Sequence, residues 1–245
     1  MGVFSGQTTL WMYGTPNGKT YVAKNVVVQD NLLLNLDSTA SGSYSGIGTT
    51  WTDLSSQGND GAINGPTYSS DEDSFYFDGF NDRVECGTIT GFNATKVTLE
   101  AWVNISSFTA NDGDTTQFII QGGGSGLDFD LTAKNSDKFS FRLQGSFANT
   151  IDATGYSVDT WYHLLGTYDG STMKFYINNS LVGTKTVTVP SFASSMNVDL
   201  GRYVVADENA FQLDGYLAVV RIYSDALTDD ERETNFDAYK ERFGI

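Results

Sequence analysis

The strongest constraint in this chain is a hydrophobic period of two. Val97–Ile105 reads VTLEAWVNI, with Val97, Leu99, Ala101, Val103 and Ile105 on one face and Thr98, Glu100, Trp102 and Asn104 on the other. The alternation returns in residues 118–121, in Leu127, Phe129 and Leu131, and in Phe139, Phe141 and Leu143. Residues 161–168 and 172–177 flank Asp169-Gly170-Ser171, and Ile177 and Leu181 flank Asn178-Asn179-Ser180, two hairpin signals. Roughly a dozen or more short strands, separated by Gly and Asp clusters with no helical pattern between them, predict an antiparallel sandwich. The 245 residues suit one large all-β jelly roll of two sheets better than two small domains.

The most apolar run of the second half is residues 211–223, FQLDGYLAVVRIY. Its faces read Tyr216, Ala218, Val220, Ile222 and Leu217, Val219, Arg221, Tyr223; both are largely apolar, which predicts a central strand covered on both sides. Near the start, NLLLNLDS predicts a strand with Leu32, Leu34 and Leu36 on one face. Residues 1–30 differ from the rest. They hold two short apolar runs around Thr15-Pro16-Asn17-Gly18 and too little apolar area to fold alone, so an N-terminal arm is expected. Its Phe4, Trp11 and Tyr13 are expected to make assembly contacts. The sandwich itself is expected over 31–225.

One helix is predicted, within 226–245. Thr228 and Glu231 fit a capping box, Asp229 and Asp230 suit the positive end of the helix dipole, and Lys240 and Arg242 suit the other end. Phe236, Tyr239 and Phe243 form a stripe that should pack on the sandwich or on a neighbour, where they would be further assembly contacts, and Gly244 ends the helix.

Charge and cysteine usage narrow the function. The formal net charge is −16, which repels nucleic acid and anionic membranes. No run approaches transmembrane length, so no membrane insertion is expected. Met1 to Gln7 lacks the apolar region of a signal peptide, which predicts synthesis in a cytosol. Cys86 stands alone in a strand-like run and reads as a small core residue. With one Cys and one His, a His/Cys zinc cluster is excluded. His163, in WYHLL, reads as a structural histidine. The GGGSG at 122–126 opens no helix and reads as a turn. Glycoside hydrolysis needs two carboxyls about 5–10 Å apart. Glu100 looks isolated, and the nearest approach to a pair is Asp128 and Asp130 in LDFDL, which read as the solvent face of an edge strand. Trp51, Trp102, Tyr156 and Tyr203 are aromatics that could stack on a sugar.

Several segments carry a family likeness: FDGFNDRV at 77–84, VTLEAWV at 97–103, WYHL at 161–164, YINN at 176–179 and DGYLAVVRIY at 214–223. In order and spacing they resemble a laminin-G-like or pentraxin-like domain of the concanavalin A-like lectin/glucanase superfamily. The ends, LLLNLDS with TTWTDLS and GNDGAINGPTYSSD, and AVVRIYSDALTDDERETNFDAYKERFGI, resemble the version found in tailed-bacteriophage structural proteins. That resemblance implies a non-enzymatic virion protein, capsid-decorating or in an appendage, exposed on the particle. Its implied partners are other virion proteins, further copies of itself and host-surface glycans. The alternative it implies is a Ca2+-dependent carbohydrate-binding module; a glycoside hydrolase is disfavoured. Family members often carry Ile-Asp-Glu-Val where this chain has Leu217-Ala218-Val219-Val220, which removes the acidic pair tied to metal binding. Asp78, Asn81 and Asp82, with Asp214, remain as oxygen ligands for Ca2+.

Overall fold

A computed structural model describes residues 26–109, 115–123, 127–189, 191–203 and 211–245. The expected arm, with Phe4, Trp11 and Tyr13, lies outside these residues apart from its last few positions. In chain order the strands are β1 (Leu32–Asp37), β2 (Thr50–Trp51), β3 (Gly61–Asn64), β4 (Thr67–Ser69), β5 (Ser74–Asp78), β6 (Arg83–Thr90), β7 (Val97–Ile105) and β8 (Thr116–Gly123). They continue with β9 (Leu127–Lys134), β10 (Lys138–Leu143), β11 (Thr150–Thr154), β12 (Trp161–Tyr168), β13 (Thr172–Ile177), β14 (Ser180–Thr186), β15 (Ser195–Leu200) and β16 (Asp214–Tyr223). Helix α1 (Asp229–Tyr239) and a 3-10 turn (Lys240–Phe243) close the chain.

The strands form two antiparallel eight-stranded sheets. The first runs β14-β13-β12-β7-β16-β5-β4, with β1 also paired to β16. The second runs β11-β10-β9-β8-β15-β6-β3-β2. Between them lies one apolar core, filled from the first sheet by Val97, Leu99, Val103, Leu217, Val220 and Ile222 and from the second by Val84, Ile120, Phe129, Leu131, Phe139 and Phe141. Cys86 belongs to this core, and burial pushes its thiol well up. Between the sheets Gly166 faces Phe141; an added Cβ would sit 2.5 Å from that ring, so the close approach requires glycine. Both hairpin signals form. Asn178 and Asn179 have φ of 48° and 66°, the primed turn that matches strand twist.

β16 is central, as its two apolar faces require, but its faces are not the simple alternation. Leu217 pairs with Val103 and Val219 with Trp102, so Ala218 is an extra, bulged residue. Ala218 and Val219 therefore both point outward, while Leu217, Val220 and Ile222 point to the core. The freed Ala218 carbonyl accepts from the Ser38 amide at 2.9 Å. A similar irregularity between Leu32 and Leu34 turns Leu32 away from the core, against Val28 and Tyr223, so Leu32 does not share the face of Leu34 and Leu36.

α1 covers the outer face of the first sheet. The capping box forms, with Glu231 N–H donating to Thr228 Oγ1 and Thr228 N–H donating to the Glu231 carboxylate. The left-handed Gly244 (φ 73°) ends the 3-10 turn. Phe236, Tyr239 and Phe243 pack on this chain's own sheet, Phe243 only partly buried. Trp102 lies between Phe236 and Phe243, with centroids 5.8 and 4.4 Å away and rings nearly parallel. Phe243 also meets Trp161 at 4.6 Å. Ala218 and Val219 complete this second apolar layer beneath the helix.

Beneath the helix lies a buried polar row. Asn35, Arg221 and Glu100 are register partners on β1, β16 and β7, and all three point outward. Glu100 accepts from Arg221 Nη1 at 2.9 Å, His163 Nε2 at 3.1 Å and Asn235 Nδ2 at 2.7 Å. Arg221 Nε donates to Asn35 Oδ1 at 3.0 Å. Asn235 Oδ1 accepts from the Val28 amide at 2.9 Å, and Tyr239 O–H and Arg242 donate to Asp37 at 2.7 and 2.9 Å. Burial alone would raise the Glu100 carboxyl, but Arg221, His163 and Asn235 outweigh it and hold it below the usual range. An ionised carboxylate only accepts, so His163 donates to Glu100 through Nε2, and its Nδ1 is buried without a hydrogen-bond partner.

Two consequences are measurable by chemical denaturation. Phe236→Ala removes the ring under the helix and should cost about 3 kcal/mol or more. Glu100→Gln strands Arg221 and should cost about 3–5 kcal/mol at neutral pH. Because the folded Glu100 pKa is depressed from 4.5, its contribution is present above that pH and is lost as pH falls through the lower folded value. The gap between wild type and Glu100→Gln should therefore narrow in acid; a gap constant with pH contradicts the ion pair.

Candidate functional site

Apart from Phe118, the outward side chains of the second sheet are mostly polar, and they divide into two zones. At one end Arg202 donates to Asp199 at 2.7 Å and Glu85 at 2.8 Å, while Arg83 and Asn64 also donate to Glu85 at 2.9 and 3.1 Å. These groups neutralise one another. At the other end, over β8 to β11, a cleft of about 490 Å³ opens.

The cleft has an aromatic side and a cationic side. Phe118 on β8 is buried at its base, with Tyr203 stacked on it at 5.2 Å and Phe211 edge-on at 6.0 Å; Tyr203 and Phe211 are half-buried. Phe211 has a φ of 62°, rare for an aromatic residue. The strain is held by its carbonyl, which accepts from the Phe118 amide at 3.2 Å. Lys134, Lys138 and Arg142 line the opposite side, with Asp152 among them. The even period of β9 and β10 puts them there: Phe139 and Phe141 point to the core, so Lys138 and Arg142 point out.

Arg142 is fixed from below. Its Nε donates to Asp130 at 2.8 Å, and its guanidinium lies 5.8 Å above the Phe118 ring centre. Asp130 is fully buried, and burial pushes its carboxyl up to about 6 despite Arg142. Asp152 accepts from Ser140 and, at 3.2 Å, from Lys134; burial would raise it, but these partners hold it below the usual range. A smaller hollow of about 300 Å³ in the loop 42–52 is lined by Ser, Thr, Gly, Tyr44 and Ile47, with no charged group.

Of the four aromatics that could stack on a sugar, Tyr203 alone lines the cleft. Trp51 lies in the core, Trp102 lies under α1, and Tyr156 packs on Phe139 and Tyr162. Asp128 and Asp130 are not on an edge strand, since β9 lies between β8 and β10. Asp130 is sealed in its pair with Arg142, and Asp128 accepts from Gln144 at 3.2 Å. Sequence reasoning does not single out Phe118, Phe211 or the two lysines; the alternation of β10 is the available signal.

The acidic cluster lies elsewhere, at the end of β5. Asp78 and Asp214 are register partners across β5 and β16. Asp78 accepts from the Phe80 amide and Asp82 from the Asp78 amide, each at 3.0 Å, an Asx-type turn. Burial raises the carboxyls of Asp82 and Asp214 and the Asp78 carboxylate adds to it, while at Asp82 the hydrogen bond from the Asp78 amide works the other way. Asn81 is exposed. Among the described residues no three Asp, Glu, His or Cys side chains are grouped to hold a metal ion. The carboxyls expected as Ca2+ ligands thus brace a turn by accepting from its amides.

A laminin-G-like family model covers residues 67–231. The chain belongs to the concanavalin A-like lectin/glucanases superfamily. No curated protein matches the sequence significantly. Similar solved structures include Trypanosoma rangeli sialidase in complex with sialic acid, at 13% identity and TM-score 0.64, covering 96% of this chain and 36% of that one. The receptor binding domain of botulinum neurotoxin D matches at 16% identity and TM-score 0.61, covering 87% of this chain and 53% of that one. A botulinum neurotoxin D/C binding domain matches at 14% and 0.60, covering 86% and 52%. The chain thus spans between a third and about half of these structures, and at such identities the likeness establishes a shared lectin-like sandwich.

Millimolar Ca2+ in place of a chelator should leave the unfolding temperature unchanged, because a bound ion would raise it in proportion to ligand excess. A rise that disappears in Asp82→Asn would restore the acidic turn as a metal site.

Proposed function

We propose that this chain is a non-enzymatic bacteriophage virion structural protein, decorating the capsid or part of an appendage, which presents a lectin-like sandwich to host-surface glycans. The observation that carries the binding part is the cleft on the second sheet, where aromatic faces and fixed polar groups converge as they do in saccharide sites. The family is one of lectins and glucanases, and two of the similar structures are themselves binding domains. The virion part rests on the likeness of the segments at 32–79 and 218–245 to tailed-phage structural proteins. Individually weak sugar contacts gain strength when many copies share one particle.

The non-enzymatic part rests on the acids. Among the described residues Asp152 is the carboxylate lining the cleft, and Asp130 below it is buried in an ion pair. A glycosidase needs two reachable carboxyls flanking the bond. A Ca2+-dependent lectin is the alternative, and it would draw on the turn at Asp78 and Asp82.

The full-length chain should bind members of a glycan array and leave them intact, with no new reducing ends after long incubation. Mass spectrometry of purified particles should find the chain at a fixed copy number. Cleavage of a bound glycan would sink the non-enzymatic reading, and absence from particles would sink the virion reading.

A further inference from the structure

We infer that the cleft selects an acidic saccharide, with a sugar face on Tyr203 and Phe211 and a carboxylate or sulfate held between Lys138 and Arg142. This rests on the glycan-binding reading above and names the class of glycan that the site would take.

The first argument is charge placement. The chain has 30 acidic and 14 basic residues, yet among the described residues three cations and one acid line this cleft, with Asp130 buried beneath Arg142. The second is register. Lys134 and Lys138 are direct cross-strand partners on β9 and β10, and the row continues to Thr116 on β8 and Thr154 on β11. Like charges directly opposite one another destabilise a sheet. No acid stands in that row to relieve them. Asp152 pairs with Lys134 from the next position and feels the Lys138 charge from farther off, and among the described residues Lys138 makes no ion pair of its own. An anion entering the cleft would supply the missing charge.

The third argument is orientation. Asp130 takes Arg142 through Nε, and the Phe118 ring lies under its guanidinium. The Arg142 side chain is held in place before any ligand arrives, which lowers the ordering cost of binding. Planar guanidinium groups match carboxylate and sulfate oxygens with paired hydrogen bonds. The distant carboxylates do not cancel this: at physiological ionic strength, fields fade beyond about 8 Å. The local cations therefore decide the sign of the ligand. The aromatic side supplies what a bare anion would not use, namely a face for the C–H side of a sugar ring.

The experiment measures binding of the full-length chain to glycans in matched pairs sharing one backbone: lactose and sialyllactose, N-acetyllactosamine and its sulfated form, xylan and glucuronoxylan. The acidic member of at least one pair should bind about tenfold more tightly, the worth of one charge-assisted contact. Lys138→Glu should abolish that preference, and added salt should weaken it. Lys174→Glu makes the same charge change on β13 of the opposite sheet and should leave the preference intact. Tyr203→Ala should weaken both members of a pair alike. Equal binding of neutral and acidic partners, or equal effects of Lys138→Glu and Lys174→Glu, overturns the acidic-saccharide inference and leaves glycan binding standing. Silence on every pair removes the glycan reading itself.

Discussion

The pair formed by Glu100 and Arg221 is the interaction on which this architecture turns. Both side chains are fully buried on the outer face of a sheet, where an ordinary sandwich meets water. Two charges so placed are tolerated only when their remaining hydrogen-bonding capacity is filled. His163, Asn235 and Asn35 fill most of it, from β12, from α1 and from β1. Because Asn35, Arg221 and Glu100 form one cross-strand row, a one-residue slip of β1, β16 or β7 would drive a charge into the core. The network also determines where the helix lies. Asn235 reaches Glu100, and Tyr239 reaches Asp37 while its ring covers the Arg221 guanidinium at 4.5 Å. The apolar layer around Trp102 then supplies the bulk of the attraction without having to define its direction.

The two sheets treat their outer faces differently, and that asymmetry leaves the candidate site on one side only. The first sheet is covered at its centre by α1 and its aromatic stripe. The second carries polar residues over most of its breadth, partly closed by the Arg202, Asp199 and Glu85 ion group and open over β8 to β11. Asp130 and Arg142 are the counterparts there of Glu100 and Arg221: a buried pair on a cross-strand row. One pair faces a helix of the same chain, while the other sits under an open cleft.

Much of the fold is legible in the sequence because its signals are local. The period of two in VTLEAWVNI, the Asn178-Asn179 turn and the Thr228 to Glu231 capping box each follow from contacts within a few residues. Strict alternation misplaces the faces of β16 and β1 where bulges intervene, since a bulge at Ala218 leaves no mark on composition. Glu100 looks isolated because its partners lie 63, 121 and 135 residues away. The cleft is harder still. Phe118, Tyr203 and Phe211 converge through pairing between β8 and its neighbours, and a chain read in order gives no hint that Lys134 and Lys138 stand opposite each other. The acidic turn at Asp78 is the louder signal in sequence; its carboxylates bind backbone amides instead of forming a ligand set.

The position of the helix has a geometric corollary for attachment. Val27 and Val28 pack beneath α1 and against Tyr223, so the chain enters the described domain on the same face on which α1 closes it. The cleft opens from the far sheet. A body joined through either of these segments would stand behind the sandwich, and the binding face would look away from it by default. Orientation of this kind needs no hinge and no second domain; it follows from one helix lying down on one side of a two-layer fold.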